Sequence, residues 1–144
     1  MLIGASKVLA VFLLAACTMQ GSEVRREELM DSIERLVVLP TGAQALKAYG
    51  RSYAFVDKDR VIGSYSIPIE APDGPCTIVM PGDRSRPCTA EEAALTEQTP
   101  AGVRRWYEKS EDVPRRMSAG CEQVNVVYVI SSRRVIEALC DADH

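Results

Sequence analysis

Histidine is nearly absent: the chain has one, His144, at its last position. Chain ends are usually poorly tied down, so a Ser–His or Cys–His couple lacks a positioned base, and nucleophilic catalysis of that kind is excluded. Large aromatic residues are scarce too, with two Phe and one Trp, and the many Val, Ile and Ala predict a core built from aliphatic side chains. No Gly-rich loop precedes a helical pattern, which removes a phosphate cradle. No apolar run approaches the ~20 residues that cross a bilayer; Val8 to Ala16 is about half that. The formal net charge of -3, from 17 basic and 20 acidic side chains, is mild and mixed in sign. That balance argues against nucleic acid as a partner.

What is present begins at the start of the chain. Lys7 precedes the apolar run, and Leu14-Ala15-Ala16 leads into Cys17. An ordinary secretory signal ends in small residues at the first and third positions before its cut, and Leu14 breaks that pattern. The arrangement resembles the signal peptide and lipobox of bacterial lipoproteins. The resemblance covers the first seventeen residues and speaks to processing alone. It implies that residues 1–16 are removed as a signal peptide and that Cys17 carries a diacylglyceryl thioether, usually with an acylated amino terminus. Several acyl chains, at about 0.8 kcal/mol per buried methylene, hold far more firmly than one. In the enterobacterial form of the family rule, Asp after the cysteine retains a lipoprotein at the inner membrane. Thr18 therefore implies the outer membrane, facing the periplasm. Residues 17–22 predict the lipidated cysteine and a short tether, and 23–144 a single domain; five extended residues reach at most ~18 Å.

With Cys17 set aside, Cys76, Cys88, Cys121 and Cys140 remain of the five cysteines. An even remainder in an exported chain reads as two disulfides, with three possible connectivities. We take the local pairing, Cys76–Cys88 with Cys121–Cys140: the first closes a Pro/Gly-rich loop and the second ties the arms of a hairpin. The spacings between these cysteines are not those of zinc ligand pairs, so neither a metal nor a cofactor is expected.

Glu23 to Val38 predicts an amphipathic helix, with Leu29, Met30, Ile33, Leu36 and Val37 at three- and four-residue steps, stopped by Pro40. A second, shorter helix is expected from the capping-box pair Thr41 and Gln44 to Gly50. Ser52–Val56 and Val61–Ile69, separated by Asp57-Lys58-Asp59, carry a hairpin signal. Between Ala71 and Gly102 fall five of the eight prolines, among them Pro72. That stretch predicts one short strand, Thr77–Met80, and one short helix capped by Thr89 and Glu92. Val103–Lys109, Gln123–Ile130 and Val135–Cys140 read as strands, the second the strongest and therefore central. The sum is an α+β fold: one or two N-terminal helices followed by an antiparallel sheet of four to five strands.

Acidic pairs capable of general acid–base work occur at Asp57/Asp59, Glu91/Glu92 and Glu111/Asp112. All sit in turns or helix starts, where solvation and turn chemistry account for them. The tail Asp141-Ala142-Asp143-His144 reads as a frayed polar end. The doublets Arg25-Arg26, Arg115-Arg116 and Arg133-Arg134 read as scattered surface charge. Arg105, Trp106 and Tyr107 form the candidate binding surface, since aromatics and Arg are enriched at hot spots. On a strand, Arg105 and Tyr107 share one face while Trp106 takes the other, where it can anchor the core. The expectation is a non-enzymatic envelope lipoprotein, moored to the membrane through Cys17, that binds an envelope protein or cell-wall partner. The alternative is a small-molecule or glycan binder, or a hydrolase using carboxylates alone, and a pocket with convergent polar groups would favour it.

Overall fold

The computed structural model describes the backbone of residues 8–70, 74–117 and 119–141, and side chains within these except 8–20 and 94–95. Lys7, Pro72, Asp143, His144 and the Cys17 side chain lie outside the described residues. The chain divides after Leu36 into two compact units.

The first unit is α1, Val8–Leu36, a helix of 29 residues. It covers the expected helix from Glu23 to Leu36, ending two residues before Val38, and it runs through Thr18–Ser22, where a tether was expected. Met19 and Gln20 are good helix formers and proline is absent there, so extending an existing helix costs little. Among its described side chains Leu29, Met30 and Ile33 are buried. Among the described residues no helix is long and apolar enough to cross a membrane.

The second unit holds a five-stranded sheet ordered β5-β1-β2-β6-β7 and a two-stranded sheet, β3-β4. The strands are β1 (Gly50–Phe55), β2 (Arg60–Ser66), β3 (Thr77–Met80), β4 (Arg84–Pro87), β5 (Arg104–Trp106), β6 (Gln123–Val129) and β7 (Arg134–Cys140), with α2 (Ala90–Leu95) between β4 and β5. The fold is α+β, but the large sheet is mixed rather than wholly antiparallel. β5 lies beside β1 in parallel, Ser52 opposite Arg105. β2 returns the chain to the end where β1 begins, Gly50 opposite Ser66, and the hairpin β3–β4 and α2 lie in the connection from there past β1 to β5. β6 is an interior strand between β2 and β7, while β2 occupies the centre.

The expected second helix shrinks to a 3-10 turn, Leu46–Ala48. Its cap never forms, because Gln44 N donates at 3.0 Å to the Tyr49 hydroxyl. Tyr49 is fully buried, and its hydroxyl donates in turn to Cys121 O at 2.7 Å. The chain therefore turns into β1 instead of winding on.

One face of the sheet carries the core, and tyrosine dominates it. Tyr49, Tyr53 and Tyr65 are its largest fully buried side chains, joined by Val61, Val124 and Val126. The aliphatic expectation missed this: a phenol fills volume and can satisfy its own hydroxyl. Tyr53 donates to the Tyr65 hydroxyl at 3.0 Å, and their rings meet edge to face at 5.7 Å. Trp106 stacks on Tyr53 at 6.5 Å and meets Phe55 edge-on at 4.8 Å. Gly63, opposite Tyr53 on β1 and Val126 on β6, makes room for this cluster. A Cβ there would lie 3.2 Å from the Tyr65 ring and 3.3 Å from both the Tyr53 ring and Val126 Cβ.

Both disulfides are present with the local pairing, Cys76–Cys88 (Cα–Cα 5.4 Å) and Cys121–Cys140 (Cα–Cα 4.5 Å). Each closes a loop for which the chain-entropy model gives about 3 kcal/mol. The Thr89–Glu92 capping box forms in both directions. Glu92 N donates to Thr89 Oγ1 at 3.2 Å, and Thr89 N donates to Glu92 Oε2 at 2.8 Å. The same carboxylate accepts both terminal nitrogens of Arg86, at 2.7 and 2.6 Å, which ties α2 to β4.

Two outcomes follow. Gly63→Ala crowds the tyrosine cluster and lowers stability by about 1–3 kcal/mol in chemical denaturation; an unchanged midpoint would contradict this account of the core. Arg86, and then the Thr89 amide, hold the Glu92 carboxyl down from 4.5 to about 2. A depressed carboxyl contributes stability above its unfolded value and loses it as pH falls through the folded one. An NMR titration should therefore place the Glu92 midpoint near 2, with Arg86→Ala moving it back toward the ordinary value.

Candidate functional site

The second face of the large sheet is polar at one end. Gly50 and Ser52 on β1, Ser66 and Ser64 on β2, and Gln123 and Asn125 on β6 line up as cross-strand partners on that face. Such groups need partners once covered, and they find them in one another and in two loops. Gln123 is fully buried. Its Nε2 donates to Ser64 Oγ at 2.8 Å and to Asn125 Oδ1 at 3.2 Å. Its Oε1 accepts from the Ser66 hydroxyl and, at 3.4 Å, from Arg116 N. Ser64 Oγ donates onward to Pro114 O at 2.6 Å. One amide thus fastens the 114–116 segment over the sheet.

The second loop crosses beside it. Ser52 and Thr99, both buried, share a hydroxyl–hydroxyl hydrogen bond of 2.8 Å. Gly50 is where the backbone passes closest: a Cβ there would sit 1.8 Å from Thr99 O. Only glycine allows that approach. Gln98 clasps Ile69, accepting from its N–H at 2.9 Å and donating to its carbonyl at 3.1 Å.

Between these loops lies a cleft of about 240 Å³, lined by Gly50, Ser52 and Ser66 of the sheet, Ile69, the 96–99 segment and Pro114-Arg115-Arg116. Arg116 donates to Ile67 O at 3.1 Å and to Glu122 Oε2 at 3.0 Å. Arg115 is exposed, carries no ion pair among the described residues, and also lines a neighbouring hollow with Ser110, Glu111 and Val113. Glu97 is the one carboxylate among the described lining residues, and it meets Arg105 at 3.5 Å. The cleft can hold a ligand by shape and by the Arg115 and Glu97 charges. Among the described residues its hydroxyls bond to one another, to the Gln123 amide oxygen and to the Ala93 carbonyl.

The candidate surface Arg105, Trp106 and Tyr107 is split by the strand, as its alternation predicts. All three are half-buried. Trp106 turns into the tyrosine cluster, while Arg105 opposes Ser52 on the polar face. The Tyr107 hydroxyl, and more weakly Glu97, raise the Arg105 guanidinium above its ordinary value. The structure brings Arg105 near the cleft through Glu97 and leaves Trp106 in the core.

The acidic pairs serve turns and caps. Asp57 Oδ1 accepts from Asp59 N and Arg60 N, both at 2.9 Å. These bonds, the Asp59 amide foremost, and the Arg60 guanidinium lower its carboxyl. Asp59 accepts from Ser131 N at 2.8 Å and Ser131 Oγ at 2.9 Å, which ties the two hairpin turns together. Glu92 is the cap already described, Glu91 lies in the first turn of α2, and Glu111/Asp112 sit in an exposed 3-10 turn. Among the described residues no three of His, Cys, Asp and Glu converge in a way that could hold a metal ion.

Sequence reasoning missed Gln123 and the serine row. A signal was there: β2 alternates Ile62, Ser64, Ser66 against Val61, Gly63, Tyr65, two faces of opposite character. What alternation could not reveal is that loops would bury the polar one.

Gln123→Leu keeps the volume and removes the amide that joins the hub. Burying the Ser66 hydroxyl and the Arg116 N–H without that acceptor costs about 1–3 kcal/mol, so urea midpoints should fall while the Arg116 amide exchanges faster with solvent. Unaltered exchange at Arg116 would show that the 114–116 segment is held some other way. No family model, curated protein or solved structure matches the chain.

Proposed function

We propose that this protein is a bacterial envelope lipoprotein: residues 1–16 its signal peptide, Cys17 its lipidated first residue, and residues 23–144 a non-enzymatic domain that binds an envelope protein or the cell wall. The observation that carries the reading is the pairing of two cysteine facts. Cys17 follows Leu14-Ala15-Ala16, and the other four cysteines close two disulfides. Disulfides persist in oxidising compartments, which agrees with export. Thr18 favours the outer membrane, facing the periplasm.

The cleft on the polar face supports a second reading, a small-molecule or glycan binder. At about 240 Å³ it falls just under the ~300–1,000 Å³ of drug-sized pockets. A hydrolase using carboxylates needs two of them in one site, and Glu97 stands alone among the described lining residues. We therefore favour binding over catalysis.

The anchor is tested in the cell of origin. Cys17→Ala should abolish incorporation of labelled palmitate and lower the membrane-bound fraction, with both disulfides intact by mass. Retained label would overturn the lipoprotein reading. For the cleft, NMR shifts confined to Ser52, Gln98, Thr99 and Arg115 on adding soluble cell-wall fragments would support the second reading over a protein partner.

A further inference from the structure

Strand edges invite pairing by other strands unless they are guarded by charge, proline, bulges or brevity. In the large sheet both edges are guarded. β5 is three residues long and carries Arg104 and Arg105. β7 carries Arg134 and Glu137, and a bulge falls where Val127 faces Glu137 and Tyr128 faces Val135, leaving Ile136 as the extra residue. In the small sheet, β4 reads Arg-Ser-Arg-Pro and is guarded as well.

β3 differs. Thr77-Ile78-Val79-Met80 contains no charge, proline, glycine or bulge. Among the described residues only one of its edges is used, against β4. Val79 is 78% exposed and Met80 38%. The hairpin is already rigid: Cys76–Cys88 closes its base, Cys88 N donates to Cys76 O at 3.0 Å, and Arg86 is bound to Glu92 of α2. Its turn uses Gly82 at φ 81° and Asp83 at φ 55°. Little ordering entropy remains to oppose a contact made here.

We infer that β3 is a strand-addition edge and that its occupant is β3 of a second copy of this chain, paired antiparallel about a two-fold axis into a four-stranded sheet ordered β4-β3-β3-β4. Centred on Ile78, such pairing sets Thr77 against Val79 of the partner on both sides of the axis, uncharged against uncharged. Charge decides which edge joins. Through β3, the Arg84 and Arg86 residues of the two copies lie three strand spacings apart, about 14 Å, beyond the ~8 Å screening length at physiological salt. Through β4 they would be direct neighbours. Pro75 and Pro81 bracket β3, and the guarded β4 strands form the outer edges, so assembly closes at two. Four residues of edge make a contact smaller than the ~1,200–2,000 Å² of stable interfaces, so the dimer is weak and reversible. The inference does not rest on the lipid anchor.

Sedimentation equilibrium on the full chain, in non-ionic detergent with micelles in excess, reads it directly. The unaltered protein should show a reversible monomer–dimer equilibrium at high micromolar concentration. Val79→Lys, and separately Thr77→Lys, should weaken it about tenfold or more, each a loss of roughly 1.4 kcal/mol, with both disulfides intact by mass. Arg84→Ala, on the outer edge, should leave it within about twofold or slightly stronger. A monomer throughout the range, assemblies larger than two, or association indifferent to both lysine variants would overturn it.

Discussion

The contact of Tyr53 and Tyr65 over Gly63 organises the large sheet. Two phenol rings on neighbouring strands, one hydrogen bond between their hydroxyls, and a glycine between them leave no vacancy in the middle of β1, β2 and β6. Trp106 reaches the same cluster from β5 and Tyr49 from the turn before β1. Because side chains alternate across a strand, committing these residues to one face commits Gly50, Ser52, Ser64, Ser66 and Gln123 to the other. The polar hub and the cleft are consequences of where the tyrosines go.

That second face turns a packing outcome into a binding opportunity. Loops cross it at two places, each with a stated physical permission: the missing Cβ of Gly50 beneath Thr99, and the amide of Gln123 beneath Pro114 and Arg116. The cleft is what remains between them. Its interior polar groups are mutually satisfied, so selectivity falls to shape and to the rim charges, Arg115 and Glu97. This is the physical reason for reading it as a place where something binds. The small sheet contributes a different surface, a covalently closed hairpin with one unguarded edge.

Legibility followed sequence separation. Asp57 and Asp59 announced a turn, and Thr89 with Glu92 a cap, because each rests on hydrogen bonds within three residues. The two disulfides paired locally, as their spacing and hairpin context suggested. Thr41 and Gln44 carried the same capping signal and misled, because a buried tyrosine hydroxyl took the amide first. β4 went unseen: Arg84-Ser-Arg-Pro has neither alternation nor strand propensity, and it is a strand because β3 and a disulfide hold it beside them. The break between tether and helix at residue 23 was also misplaced, since helix propagation through Thr18–Ser22 needs no apolar pattern of its own.

The sequence by itself determined the α+β class, the local pairing of the disulfides and the hairpins β1–β2 and β6–β7. These depend on periodicity and on residues close along the chain, where few alternatives compete. Tertiary structure alone decided that β5 lies parallel to β1, that tyrosines take the largest buried positions among the aliphatic side chains, and that a serine row becomes buried and bonded. The first and the last depend on segments some fifty residues apart meeting, as Ser52 meets Thr99 and Ser64 meets Pro114. Whether they meet turns on a few ångströms of free space at Gly50 and Gly63, and no local pattern encodes that space.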